Sequence, residues 1–273
     1  LIIDGREIAK KIKSDVKQRI EGCESKPKVT AILLGDNPSS ESYLKMLEKT
    51  CESVGFGCEI CRLPNTTSEM QLLSLIDEKN KDEKTNGILV QMPLPAHISE
   101  EQVIMQIDPI KDIDGFHPMN AGRLFKGEKA MRPCTPLAVI TILDALDMEL
   151  TGKNIVVIGR SNIVGKPLAI MLMQKNATVT VCHSRTKNLA KHTKSADIVI
   201  LAVGKPGFLK QEMVTEETVV IDVGTNEVDG KLVGDADFES LKDYVKMITP
   251  VPGGVGPVTN AVLLLNVLEH FKF

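Results

Sequence analysis

No apolar run in the 273-residue chain reaches the ~18 residues needed to span a bilayer. The opening "LIIDGREIAKK" brings charge directly after a very short apolar start, so this stretch is not expected to be a secretory signal. Basic residues are not in excess. With 33 Lys and Arg against 36 Asp and Glu the net charge is -3, so neither nucleic acid nor a membrane surface is expected as a partner. A disulfide framework is also missing: the six cysteines are scattered through a chain too long to need one, and read as free thiols of a reducing, cytoplasmic compartment. Cys58 and Cys61 form a C-x-x-C, but "GCEICRL" reads as a strand, where positions i and i+3 face opposite ways. No second Cys/His pair has ligand spacing, so no metal is expected.

What is present is an alternation of strand and helix patterns. "KVTAILLG", "GCEICRL" and "GILVQ" read as strands, interleaved with helices from Ser40 and over "TSEMQLLSLIDEKNKD". Such βα units predict a parallel sheet covered on both faces. "DPIKDIDGFHPMNAGRLFKGEKAMRPCTP" then reads as a long Pro/Gly-rich loop, of a length that is usually functional or linking. A second series follows from Lys153: "NIVVIG", "KPLAIMLMQKN", "ATVTVCHS", "DIVILAVG" and "TVVIDVG". The fold class is therefore α/β with two α/β domains, the second Rossmann-like, joined by helices near 136–147 and 258–271 with a cleft between them. The expected boundaries are 1–119 with 258–273, and 137–249. Residues 120–136 and 250–257 are the linking segments.

"NIVVIGRSNIVGKPLA" is strand, glycine turn and helix, with Gly159 ending the strand, Gly165 allowing close backbone approach and Pro167 pre-setting the first turn. A helix start of this kind favours a phosphate. The spacing is not G-x-G-x-x-G, so a nucleotide site and a plain βα turn both fit the motif alone. The next strand adds to it. NAD-selective domains place an acid at its end for the ribose 2′-OH. Here "ATVTVCHSRT" ends in His183, Ser184 and Arg185, with Arg160 nearby, which suits a 2′-phosphate and makes NADP the expected cofactor. Gly204 and Gly224 are further strand-end glycines where a nicotinamide half would lie. In the first half, Gln91 sits at the end of "GILVQ", Asp114 beside a turn-forming glycine, and "TPVPGGVGPVT" offers a rigid loop of open amides.

Taken together, "ILVQMPLP", "KDIDGFHPMNAGRL", "RPCTP", "GRSNIVGKP", "HSRT", "AVGKPGF", "IDVGTN", "VGDADF" and "TPVPGGVGPVT" resemble the bifunctional methylenetetrahydrofolate dehydrogenase/cyclohydrolase family over essentially the whole chain. The resemblance implies NADP-dependent oxidation of methylenetetrahydrofolate to a methenyl cation. Water addition then gives 10-formyltetrahydrofolate. It makes tetrahydrofolate one-carbon derivatives the partners, in a homodimer paired through cofactor domains. It assigns Asp114 to the pterin ring, Tyr43 to the border of the folate and Gln91 to the reacting region. Pro252, Gly253 and Gly254 join the substrate contacts. Gly159, Arg160, Ser161, Ser184, Arg185 and Thr225 fall to the cofactor.

One position departs from the pattern. The family has Tyr-x-x-x-Lys, with the lysine handling the proton of the attacking water, whereas the residue four after Tyr43 is Leu47. At ~100° per residue, with Tyr43 at zero, Leu47 falls at about 40°, Val54 at about 20°, Cys51 at about 80°, Leu44 near about 100° and Met46 near about 300°, forming one apolar face. Lys45 and Lys49, at about 200° and about 240°, point away. Oxidation is thus expected to survive and water addition to be impaired. A fully bifunctional enzyme with another proton carrier, a non-catalytic folate- or nucleotide-binding protein and a dehydrogenase of a small carbonyl acid are the competing readings.

Overall fold

The computed structural model describes residues 1–269 and 271. The chain divides into two compact units: Leu1–Lys10 with Thr135–Thr259, and Lys11–Cys134 with Asn260–Phe271. The divisions fall inside helix α1 (Gly5–Arg19), after the first residue of a helix at Cys134–Ala145, and inside one at Val255–Glu269.

The unit holding residues 11–134 follows the expected alternation. Strand β1 (Lys28–Leu34) leads to α2 (Pro38–Val54), β2 (Gly57–Leu63) to α3 (Glu69–Lys81), and β3 (Gly87–Val90) to α4 (Glu100–Gln106). All three strands are parallel, in the order β2-β1-β3. From Val29 onward every residue of β1 is buried, as a central strand covered on both faces requires. On one side Ile32, Leu34, Ile88 and Val90 pack with Leu72, Ile76, Val103 and Ile107 from the helices. A short parallel bridge, Ile88 to Asp112, lays the segment after α4 beside β3.

Within the expected loop lies helix α5 (Pro118–Lys126), which corrects that reading. Its signals are local: His117 Nδ1 accepts from Met119 N, Pro118 opens the first turn, and Gly127 closes it at φ 73°. Helix α6 (Cys134–Ala145) follows. Helix α1 was not among the expected elements either.

The other unit continues with β4 (Asn154–Ile158), α7 (Gly165–Gln174), β5 (Thr178–Cys182), α8 (Leu189–Lys194), β6 (Ile198–Leu201), β7 (Val219–Asp222), the hairpin β8 (Asn226–Val228) and β9 (Lys231–Val233), α9 (Phe238–Leu241), β10 (Met247–Ile248) and α10 (Val255–Glu269). Its five-stranded parallel sheet runs β10-β7-β6-β4-β5. The segment Leu1–Lys10 groups with this unit through its contacts. Ile3 N donates to Ile248 O at 2.8 Å, Gly5 N to Gly253 O at 2.9 Å, and the Leu1 ammonium to Lys246 O at 2.9 Å. Residues 250–257, expected as a link, lie in this unit too, and α10 begins among them. Among the described residues no helix is long and apolar enough to cross a membrane.

Candidate functional site

Helix α2 starts cleanly. Asn37 accepts from Ser39 N at 3.0 Å and Ser40 N at 3.2 Å, and Pro38 stands in the first turn. That start fixes the phase of the buried stripe. Leu44, Leu47, Cys51 and Val54 are buried, and Leu47 keeps 4% of its surface. Lys45 and Lys49 are exposed, as the helical wheel requires. Met46 differs from the expectation: it is 43% exposed, at the edge of the stripe, where Asn260 Nδ2 lies 3.4 Å from its sulfur.

Tyr43 is half-buried, and its phenol is pushed far above the ordinary range, first by burial and then by the negative charge of Asp114. It is a neutral hydroxyl at any physiological pH, able to donate or to accept a hydrogen bond. Asp114 is itself raised to about 7, by burial and by the neighbouring Asp112 carboxylate. A carboxyl so poised switches between donor and acceptor near neutrality.

The turn carrying Asp114 is held from several sides. Asp112 Oδ2 accepts from His117 N at 2.8 Å and from Asn120 Nδ2 at 3.0 Å. Gly115, at φ 70°, donates to Asp112 O, and a Cβ on it would meet the Arg132 carbonyl carbon at 2.6 Å. Asn266, buried in α10, donates to Ile113 O at 2.9 Å and Arg132 O at 2.8 Å. Sequence reasoning missed Asp112, Asn120 and Asn266. The one available signal was a lone amide within the apolar "AVLLLNVLEHF". Gln91 follows β3 directly; its backbone N donates to Ile32 O and its Nε2 to Met92 O, both at 2.9 Å. Tyr43, Leu47, Gln91 and Asp114 thus share one unit, whereas Pro252, Gly253 and Gly254 belong to the other.

Cys58 and Cys61 do not converge. Cys58 lies against Cys51 of α2, and Cys61 Sγ donates to Glu59 at 3.6 Å. Among the described residues no cluster of His, Cys, Asp or Glu could hold a metal.

In the unit with the five-stranded sheet, the cofactor candidates stand past the carboxyl ends of β4, β5 and β7. Gly159 ends β4 at φ 133°, where a Cβ would lie 2.3 Å from Ala202 O. Gly165 opens α7 so near that a Cβ would lie 2.1 Å from Gly159 O. The approach expected of Gly165 is therefore between its own strand and helix. Ser161 Oγ accepts from Val164 N at 3.1 Å and Gly165 N at 3.4 Å, closing the helix start. Arg160, Ser161, Ser184, Arg185 and Thr225 are all exposed. Two guanidinium groups and hydroxyls, with no acid at the end of β5, form a donor set that fits a phosphorylated dinucleotide.

Residues 3–114 match the family model described as tetrahydrofolate dehydrogenase/cyclohydrolase, catalytic domain, and residues 133–273 match its NAD(P)-binding domain. The chain belongs to the tetrahydrofolate dehydrogenase/cyclohydrolase family. Its fold is accordingly two α/β domains, the second a Rossmann-like NAD(P)-binding domain. The bifunctional protein FolD of Halothermothrix orenii is 48% identical over 277 residues, covering 100% of this chain and 98% of its own. The crystal structure of the bifunctional FolD of Campylobacter jejuni has a TM-score of 0.95 at 43% identity, covering 98% of this chain and 97% of its own. FolD of Trypanosoma brucei, solved with NADP and an inhibitor, has a TM-score of 0.92 at 35% identity, covering 98% and 96%.

Proposed function

We propose that this chain oxidises 5,10-methylenetetrahydrofolate to the 5,10-methenyl form with NADP, and that hydrolysis onward to 10-formyltetrahydrofolate is strongly impaired. The observation carrying the second half is Leu47, buried one turn after Tyr43 at the position the family pattern gives to lysine. NADP supplies the hydride acceptor when bound, through contacts to Arg160, Ser161, Ser184, Arg185 and Thr225 around Gly159. Asp114, as carboxylate, accepts from the pterin ring N–H and exocyclic amine. Tyr43 borders the ring and Gln91 the reacting carbon, with Pro252, Gly253 and Gly254 as further substrate contacts. The chain's own contribution to oxidation is positioning, since loss of hydride from the methylene carbon removes no proton.

Hydrolysis is different. Water adding to the methenyl carbon must give up a proton, and leucine can neither take nor return one. Neither exposed lysine of α2 lies on the face of Tyr43. General acid–base assistance is typically worth about 10²–10⁴-fold. The test follows methenyltetrahydrofolate decay with the unsubstituted protein and with Leu47→Lys. The unsubstituted protein is expected near the uncatalysed rate, with Leu47→Lys well above it. Equal rates, both far above background, would refute the impairment. NADPH formation from methylenetetrahydrofolate tests the oxidation, and its absence would favour a binding protein without turnover. The same resemblance supports a cytoplasmic homodimer, for which sedimentation should give about twice the 29.8 kDa chain mass.

A further inference from the structure

Asp235 is fully buried in the NAD(P)-binding unit, and its carboxylate gathers four donors. Oδ2 accepts from Val203 N at 2.7 Å and Gly204 N at 3.0 Å. Oδ1 accepts from Lys205 N at 2.7 Å and from Asn226 Nδ2 at 2.9 Å. Val203–Lys205 is the segment leaving β6, and Asn226 opens β8 just after β7. One anion therefore ties together the loops that follow two neighbouring strands. Three successive amides converging on a negative charge form a nest of the kind that elsewhere receives a phosphate. Here a side chain of the same unit fills it.

The surroundings are built for this carboxylate. Asp222 Oδ1 accepts from Asp235 N at 3.0 Å and Gly224 N at 2.9 Å, and its Oδ2 accepts from Ala236 N at 2.7 Å. A Cβ on Gly224 would lie 2.2 Å from the Asp235 carboxyl carbon, and one on Gly234 would lie 2.0 Å from Asp222 Oδ2. Neither glycine can carry a side chain while both carboxylates stay in place.

The clamped loop also occupies a decisive place in the sheet. In the order β10-β7-β6-β4-β5 the connections reverse between β4 and β6, and open sheets of this type bind dinucleotides beside such a reversal. The loop after β6 meets the loop after β4 there, with Ala202 O against Gly159.

We propose that Asp235 is a positioning residue for the dinucleotide: as an anion it fixes the loop after β6 in the shape the cofactor meets at the switch point. This rests on the NADP-dependent reading above and deepens it. A carboxamide cannot replace the carboxylate, because it offers one acceptor oxygen and turns its own N–H groups toward donors.

The experiment compares the natural protein with Asp235→Asn by calorimetric NADP affinity and by KM for each substrate, at a temperature where both are folded. Asp235→Asn is expected to weaken NADP binding by at least about tenfold, the equivalent of one lost interaction. The KM for methylenetetrahydrofolate should stay within about twofold, since uniform binding of that substrate is untouched. Unchanged NADP affinity with a lower melting temperature would overturn the proposal, leaving Asp235 a purely structural group. If Asp235→Asn does not fold, Asn226→Ala decides, because it keeps the three backbone bonds. Weaker NADP binding with an unchanged folate KM supports the clamp, and unchanged NADP binding overturns it. Failure of the natural protein to bind NADP at all would instead refute the function proposed above.

Discussion

Replacing Asp114 by asparagine removes the charge while keeping the size, and the consequence is set by the surroundings of that carboxyl. Burial and the Asp112 carboxylate raise Asp114 to about 7 from 3.8. The free protein therefore carries a neutral carboxyl at pH 5 and a carboxylate at pH 8. Only the carboxylate accepts two hydrogen bonds from a ring N–H and an amine at once. Hydrogen bonds to a charged group contribute about 1.5–3 kcal/mol, so losing one lowers kcat/KM for methylenetetrahydrofolate by about 10–150-fold. The sign of the pH effect follows from the raised pKa: activity at low substrate falls as pH drops through about 7. Because kcat/KM reports ionisations of the free protein, initial rates of NADPH formation at subsaturating folate, from pH 5.5 to 8.5, read it directly. The unsubstituted protein should show a rising limb centred near about 7. Asp114→Asn should be slower and lack that limb. The same inflection in the variant, or an undiminished kcat/KM, would refute the assignment of Asp114 to the pterin.

Arg185→Ala should raise the KM for NADP by about tenfold or more while leaving that for NAD nearly unchanged, because only the 2′-phosphate loses a charge-assisted contact; parallel kinetics with the two cofactors check it. Gly165→Ala should weaken NADP binding and lower the melting temperature, since its Cβ would fall 2.1 Å from Gly159 O and must part β4 from α7. Glu59, paired with Lys28 at 2.5 Å and Lys79 at 2.9 Å, is held down to about 2 from 4.5. That stabilisation is complete above about pH 4.5 and is lost as the pH falls towards about 2. Glu59→Gln should therefore cost about 1–2 kcal/mol near neutrality, after discounting for solvent screening, and less in acid. Urea melts at pH 7 and pH 3 would show it.

Elements whose cause is local were readable in the sequence. The three parallel strands of the first half, the existence of α2 and the outward turn of Lys45 and Lys49 follow from periodicity alone, although α2 starts at Pro38, capped by Asn37, two residues before the expected Ser40. Helix α5 was equally local, with its proline start and glycine stop, but the surrounding Pro and Gly residues made the whole segment read as a loop. What stayed hidden depends on distant partners. Asn266 reaches the Asp114 turn across 153 residues to Ile113. Leu1–Lys10 groups with the five-stranded unit through bonds to residues near 248. Asp235 matters because the loop after β6, some 30 residues earlier, brings its amides to it. A hydrogen-bond partner that distant leaves no periodic trace, whereas a wheel or a cap does.

Position 47 shows how function and local pattern compete. A stripe made of Leu44, Leu47, Cys51 and Val54 obeys the rule for a half-buried helix, all four being buried. A lysine there breaks the rule, because its ammonium loses solvent while its neighbours offer little in return. Sites where a sequence violates its own patterning are where functional residues sit, at a cost in stability. Leucine at this position removes the violation and, on the function proposed above, the proton carrier with it. Leu47→Lys should consequently pull two measurements in opposite directions. It should lower the unfolding free energy by about 1–3 kcal/mol, through lost apolar burial and a desolvated charge. It should also raise the rate of methenyltetrahydrofolate hydrolysis by up to about 10²–10⁴-fold. A variant that gained hydrolysis without losing stability would show that the side chain at 47 leaves the stripe for solvent. A variant that lost stability and gained nothing would show that the proton in this pocket travels by another group, and the impairment would have to be sought elsewhere.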